Sequence, residues 1–502
     1  MEKFFWADQI ADRIIAEKKG KKIYICASGI TPSGVVHIGN FREVITTDLV
    51  VRALKEKGRK VKFIYSWDDY DRLRKIPANL PEEKKKKYEN YLGMALSEIP
   101  SPFPDKAKSY AEHFEKEFEK SCEKVGIKPE FIRQNQMYKK CKYAQGIKEA
   151  IEKRKEIMKI LDKYRKEPLS EDWMPVEIYC EKCKKDFTKV LNVMGFEIEY
   201  ECNCGFKEKF DFRKKGIVKL KWRIDWPMRW KYWNVDFEPG GIDHSVHGGS
   251  FMTGKEIVKL FGYQAPLYTM YEFVSIKGGH GKISSSVGNT LTLDEVGEIY
   301  EPEVLRYLFV GTRPNKGFEI SFDNDVIKIY EDFDELERKY YEKEANPQEK
   351  RIYELSVLKV PKKKPEKTSF RHLISFIQIG KTKNLNKESK KRAEKVSKWI
   401  EKYASDDFKF KIRDKISDEV SLGKKQKQAL KSLKESLSVK NFTEEELFNE
   451  FYSICNAIGI ESSEFFEGAY SVIIGKPKGP RLAGLILSVG KEKIIGLLNQ
   501  IK

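Results

Sequence analysis

The 502 residues carry 96 Lys and Arg against 77 Asp and Glu, a net charge of +19, with 40% hydrophobic and 12% aromatic residues. That apolar content excludes a disordered chain, the length predicts roughly three to five domains, and the basic excess suits a polyanionic partner, nucleic acid first. No apolar run approaches the ~18 residues of a membrane span, so no membrane partner is expected.

The opening segment MEKFFWADQIADRII reads as an amphipathic helix rather than a signal peptide, because Asp8, Asp12 and Arg13 interrupt its apolar pattern. Ile23–Cys26 is a β-branched run expected to form a buried strand. A loop with Gly29, Pro32 and Gly34 follows, and VVHIGN opens a predicted helix with Ser33 as candidate N-cap. Strand, glycine-rich turn and helix N-terminus together present backbone N–H groups to a phosphate. His37 and Asn40 are three apart and share a helical face, so both are expected to address one phosphate. Gly39 is expected to let a nucleotide base approach the backbone.

Lys60–Trp67 reads as the second strand and ends in Asp68, Asp69 and Asp71, at the edge where parallel sheets bind ligands. From about 76 to 215 the pattern changes to charged, amphipathic helices, an expected insertion between two halves of a nucleotide-binding fold. Within it, Cys180 and Cys183 are followed after eighteen residues by Cys202 and Cys204. Paired thiolates joined by a strand-like span predict a Cys₄ zinc ribbon, structural because four thiolates fill the coordination sphere.

From Gly216 a strand pattern is expected to return in GIVKLKWRIDWPMRW, where Trp222, Trp226 and Trp230 alternate with Asp225 and Arg229 as a cleft wall would. Glycines flank Asp243, His244 and His247 in GGIDHSVHGGS, which suits close ligand approach. LYTMYEFVSIKG is an expected strand. The loop after it, GGHGKISSSVGN, offers Lys282, Ser284 and Ser285 as a cation with hydroxyl donors for a phosphate. Helices dominate from Leu291, Pro361–Lys367 marks a linker, and the remainder is helical and lysine-rich with no visible internal repeat.

The pairing of HIGN with KISSS, together with SWDDYDRLRKIP, DWPMRW and the Asp243–Ser245 box, resembles the class I lysyl-tRNA synthetases of archaeal type. The resemblance covers the catalytic half and its zinc insertion and runs more weakly through the helical C-terminus. It implies an α/β fold: a HUP-type Rossmann parallel sheet in residues 1–75 and 216–276, interrupted by a helical zinc-binding insertion (76–215). A KISSS loop and stem-contact region (277–345) and an all-α anticodon-binding region (346–502) would follow. It implies that L-lysine attacks the α-phosphate of ATP, accompanied by Mg²⁺, to give lysyl-adenylate and pyrophosphate, and that the lysyl group then passes to the terminal adenosine of tRNA(Lys).

The same resemblance assigns catalysis to His37, Asn40, Lys282, Ser284 and Ser285, and ATP binding to Pro32, Ser33, Gly34, His37, Gly39, Asn40 and Lys282. Gly29, Thr31, Trp222 and His244 would line the lysine pocket, with Asp225 adding charge; the α-amine of lysine needs an acceptor, for which Asp68, Asp69 and Asp71 are the candidates; and zinc would be held by Cys180, Cys183, Cys202 and Cys204. Asn40 and Ser285 stand where other class I synthetases carry a second histidine and a second lysine, which shifts charge stabilisation onto Lys282 and Lys277. Of a second zinc site found in such enzymes only Asp105 and His113 remain, so that metal is expected to be weak or absent. A cytoplasmic monomer is expected. Two alternatives stand: a glutamyl-type class I synthetase, opposed by Ala27 where those enzymes place an arginine, and a non-catalytic tRNA-binding paralogue, opposed by His37 and Lys282.

Overall fold

The computed structural model describes residues 5–76, 80, 82–278, 291–416 and 420–501. They form two compact units, one comprising Met1–Gly297, Pro302–Ile320 and Ala345–Val360, the other Glu298–Glu301, Ser321–Glu344 and Pro361–Lys502.

The first unit is built on a five-stranded parallel sheet. After helix α1 (Trp6–Glu17) come strand β1 (Tyr24–Ile30), helix α2 (Ile38–Glu56) and strand β2 (Val61–Trp67). Strand β3 (Glu130–Arg133) lies beside β2, and the strands Phe237–Gly241 and Leu267–Tyr271 lie on the other side of β1. The chain therefore grows outward from β1 in one direction, then restarts on the opposite flank. The crevice beyond the carboxyl ends of β1 and Phe237–Gly241 is the switch point where such sheets take ligands. Helix α2 is buried over most of its surface, with Phe41, Val44, Ile45, Leu49, Val50 and Leu54 nearly inaccessible, so it is the central prop of the unit rather than a surface helix.

Three local expectations change. The strand expected at Ile23–Cys26 runs on to Ile30. Tryptophans 222, 226 and 230 sit not on a strand but on the helix Trp222–Trp233, which accommodates Pro227 in its second turn. The stretch 267–276 divides into two strands of different sheets, Leu267–Tyr271 and Val274–Ile276. The expected insertion also contributes β3 to the central sheet. One apolar core runs through Tyr70, Tyr138, Ile147, Ile178, Phe212, Ile224, Met228 and Ile257, so the insertion buries its faces against the helices Trp222–Trp233 and Ser250–Leu260. That shared core is why the unit count is lower than chain length suggests.

The ribbon hairpins Thr188–Met194, Glu197–Cys202 and Lys207–Asp211 form an antiparallel sheet of their own. The second unit is helical, with Lys424–Val439, Glu444–Ile458, Ser462–Ile473, Leu482–Val489 and Lys491–Leu498 packed round Leu433, Phe451, Phe465 and Leu485. Among the described residues, no helix is long and apolar enough to cross a membrane.

Candidate active site

A cavity of about 710 Å³ opens at the switch point. Its walls come from the β1–α2 turn (Gly29, Thr31, Ser33, Gly34, His37, Gly39, Asn40), the end of β2 (Asp68, Asp71, Arg72), the helix at Trp222, and Asp243 and His244. A deeper recess of about 60 Å³ shares Gly29, Glu43, Asp68, Trp222 and His244 with it and adds Trp226, Trp230 and Glu238.

The α2 N-terminus is built by the HIGN residues themselves. His37, not Ser33, is the N-cap, and α2 begins at Ile38. The Gly39 N–H donates to His37 Nδ1 (3.1 Å) and the His37 N–H donates to Asn40 Oδ1 (3.1 Å), a reciprocal capping box. This fixes both side chains at the cavity wall and commits Asn40 Oδ1 to the backbone, leaving the amide NH₂ as its donor for a ligand. Gly39 is needed for the cap itself: a Cβ there would stand 2.9 Å from the His37 ring. Gly29 likewise lets β1 lie against β2, since a Cβ would meet the Ser66 carbonyl at 2.6 Å.

Lys282, Ser284 and Ser285 lie outside the described residues. The residues on either side of that segment belong to the same wall. Val274 lines the cavity, and the Leu291 carbonyl accepts the Ile38 N–H at 2.8 Å while Thr292 bridges His37.

The floor is a charged network. Arg229 Nη1 donates to Asp68 Oδ1 at 2.6 Å, and Arg229 Nε lies 3.5 Å from Asp225. Lys219 Nζ is 2.9 Å from Asp71 and 3.7 Å from Asp225, and the Thr31 hydroxyl donates to Asp71 at 2.9 Å. Burial opposes both cations, yet the carboxylates of Asp225 and Asp68 hold Arg229, and those of Asp71 and Asp225 hold Lys219, firmly protonated.

Two of the expected site residues stand back from the cavity surface. Asp225 is buried behind the floor, bonded by the Tyr138 hydroxyl and facing the two cations, and it does not line the cavity. Pro32 is buried and also absent from the wall. Asp69 turns away to accept the Asn135 N–H at 2.8 Å. Ser33, Gly34, His37, Gly39 and Asn40, and Gly29, Thr31, Asp68, Trp222 and His244, are brought together round the one space.

The recess holds carboxylates that the sequence reading passed over. Glu43, on α2 one turn beyond Asn40, accepts the Gly29 N–H and the Tyr271 hydroxyl, each at 2.8 Å. Loss of bulk water pushes its carboxyl up to about 8 despite those donors. Glu238 accepts the Trp230 indole N–H at 2.7 Å, and burial pushes it up to about 7. Among the described residues no cation lies within ion-pair distance of either. The available signal was the spacing His37, Asn40, Glu43, which puts the glutamate on the same helical face as the motif.

The four ribbon cysteines converge. All four Sγ atoms lie within 4.8 Å of one another, with Cys180–Cys204 at 3.7 Å and Cys183–Cys202 at 3.5 Å. Tetrahedral Zn–S bonds of ~2.3 Å require sulfurs roughly 3.8 Å apart, so the donor set fits zinc. Left-handed Lys184 and Gly205, just past each cysteine pair, fold the two knuckles. Asp105 and His113 contact each other at 2.6 Å, with the Glu117 carboxylate 4.0 Å from the His113 ring.

Comparison with known proteins adds a family. The family described as tRNA synthetases class I (K) matches residues 4–359. A lysine–tRNA ligase of Borrelia garinii subsp. bavariensis is 47% identical with both chains covered in full, and one of Borreliella burgdorferi is 46% identical over 98% of each chain. A third such ligase, from Pyrococcus horikoshii, is 40% identical over 98% of this chain and 99% of its own.

Proposed function

We propose a reaction on one premise: the chain belongs to the class I (K) tRNA synthetase family and is a lysine–tRNA ligase, using ATP to join L-lysine to tRNA. The roles below are our own reading of its residues.

The observation that carries the lysine assignment is the recess. Among the described residues, Glu43 and Glu238 face it with no cation within ion-pair distance, beside the stacked indoles of Trp222 and Trp226. An ammonium on a four-carbon stem fits that chemistry: apolar rings along the stem, a carboxylate at the tip. A glutamate side chain would add another acid to a space that Glu43, Glu238 and Asp68 already line, which costs several kcal/mol and disfavours the glutamyl-type alternative. Asp68 and Asp71, on the cavity floor, accept the α-ammonium. The floor carries three carboxylates against two cations, so one further positive charge balances it.

Activation of lysine is an in-line attack of its carboxylate on the α-phosphate of ATP. The C–O–P bond forms as the bond to the bridging oxygen of pyrophosphate breaks, and the electron pair leaves with pyrophosphate. Such a reaction needs positioning and charge neutralisation rather than a protein nucleophile. We assign the triphosphate to the α2 N-terminus with His37 and Asn40, and to Lys282, Ser284 and Ser285, whose flanking residues 274 and 291 border the HIGN turn. Mg²⁺ travels with ATP.

Zinc at Cys180, Cys183, Cys202 and Cys204 would tie the two knuckles of the ribbon together and supply no reacting group. The helical second unit is the proposed anticodon reader, and the chain is proposed to act as a cytoplasmic monomer with tRNA(Lys). The test is ATP–pyrophosphate exchange with single amino acids. Lysine supports exchange and glutamate does not; exchange with glutamate alone, or with neither while tRNA still binds, refutes the reading.

A further inference from the structure

We propose that Arg72 is a further phosphate-binding cation of this site, and that Asp186 of the cysteine ribbon is its positioning residue. The proposal rests on the ATP-dependent reading given above and names a residue for its triphosphate.

The cavity is electrostatically two-ended. Glu43, Asp68, Trp222 and His244 are shared with the recess, where Arg229 is paired with Asp68, whereas Arg72, Arg74 and Lys75 line only the larger space, beside Asp243 and the Lys219-paired Asp71. A zwitterion with an ammonium tail belongs at the first end and a polyanion at the second. Arg74 and Lys75 are exposed lysine- and arginine-type surface charges. Arg72 is different, because it is anchored.

Its Nη1 donates to Asp186 Oδ2 at 2.7 Å, and the Asp186 side chain is wholly inaccessible while that of Arg72 remains 38% exposed. One carboxylate is thus sunk in protein to hold a guanidinium that lines the cavity and stays partly open to solvent. Among the described residues Asp186 is the one hydrogen-bond partner of that guanidinium. The fork geometry of arginine allows this division, with one nitrogen on the anchor and the others on a phosphate oxygen pair.

The anchor is laced to the cavity wall by backbone. Asp186 N–H donates to the Gly93 carbonyl (2.9 Å), Gly93 N–H to the Leu73 carbonyl (3.0 Å), and Leu73 N–H to the Met94 carbonyl (2.8 Å). Asp186 stands three residues after Cys183, so the ribbon reaches the phosphate end of the cavity through a short bonded path. Arg72 supplies a fixed positive charge on the described wall of the cavity.

Lysine-dependent ATP–pyrophosphate exchange, with KM measured separately for ATP and for lysine, tests the assignment. Arg72→Ala is expected to raise KM for ATP at least tenfold and to leave KM for lysine within twofold. Arg72→Lys is expected to raise KM for ATP by less than Arg72→Ala does, because a cation is retained while the fork that spans anchor and phosphate is lost. Asp186→Asn is expected to raise KM for ATP several-fold while metal content and melting temperature hold. An unchanged KM for ATP in Arg72→Ala overturns the proposal. So does an equal rise in both KM values, the mark of a structural pair, or a rise for lysine alone, which would move Arg72 to the amino-acid carboxylate. Calorimetric titration of the same full-length proteins with ATP alone reads Arg72 even if lysine supports no exchange, a result that sinks the lysine reading instead. Should Arg72→Ala fail to fold, Arg72→Lys and Arg72→Gln give the same comparison, and equal ATP affinity in both refutes it.

Discussion

Exchanging Glu43 for glutamine is expected to stabilise the empty protein and to weaken its hold on lysine. The carboxyl sits at about 8 in the folded chain against an ordinary 4.5, because the cavity wall removes water that would solvate its charge. Between those values the folded chain keeps a proton that the unfolded chain has released. Stability of the empty protein therefore falls as pH rises from about 4.5 to about 8, by roughly 5 kcal/mol at most. Glu43→Gln removes that cost, since the amide oxygen still accepts the Gly29 N–H and the amide NH₂ can donate to Tyr271. Its melting temperature at pH 8 should rise by several degrees.

Lysine binding runs in the opposite direction. The ε-ammonium, with an ordinary pKa of ~10.4, stays charged throughout this range and needs the ionised carboxylate. The fraction of sites with Glu43 ionised rises about fifteenfold from pH 6.5 to pH 8, and lysine affinity should follow it. Near pH 7 each lysine bound should release close to one proton. Calorimetric titration with lysine in two buffers of different ionisation enthalpy reads both quantities. In Glu43→Gln the proton release should vanish and affinity at pH 8 should fall about a hundredfold, the ~3 kcal/mol of a broken close charge pair. A wild-type affinity that is flat from pH 6.5 to pH 8, with no proton released and a variant that binds normally, refutes the reasoning.

The capping and catalytic duties of His37 can be separated. His37→Asn keeps a strong N-cap and should melt within about 0.5 kcal/mol of wild type, while pyrophosphate exchange falls roughly 10²–10³-fold; normal exchange would remove the imidazole from the reaction. Arg229→Met leaves Asp68 and Asp225 buried without their shared partner and should cost roughly 3–5 kcal/mol in chemical denaturation, the reverse of Glu43→Gln; an unchanged midpoint would show that the floor is not held by charge. Elemental analysis should find one zinc per chain in the wild type and much less in Cys183→Ser, and a metal-free wild type would refute the ribbon assignment.

How much of this was legible in the sequence follows from the distance over which each piece of chemistry is decided. The HIGN turn was legible because its parts lie within four residues, although the cap moved from Ser33 to His37 once the imidazole could accept the Gly39 N–H. The four cysteines were legible for the same reason, two short loops each carrying its own geometry. The tryptophans were read as a strand, yet 222, 226 and 230 recur every four residues, and packing of that stripe outweighs the hydrogen bond that Pro227 removes from the helix. Glu43 was visible as an acid and invisible as an unpaired one. Its donors come from β1 and, 228 residues away, from Tyr271, and the companion Glu238 comes from a strand that reaches β1 only after the chain has switched flanks of the sheet. Lack of a cationic partner among the described residues is a property of three elements at once, so a linear pattern cannot carry it. The same holds for Arg72, an ordinary charge in SWDDYDR until the ribbon brings Asp186 beneath it. In the reading proposed here, recognition of a cation at one end of the cavity and of a polyanion at the other depends on where the fold buries or anchors each charge, more than on which charges the chain contains.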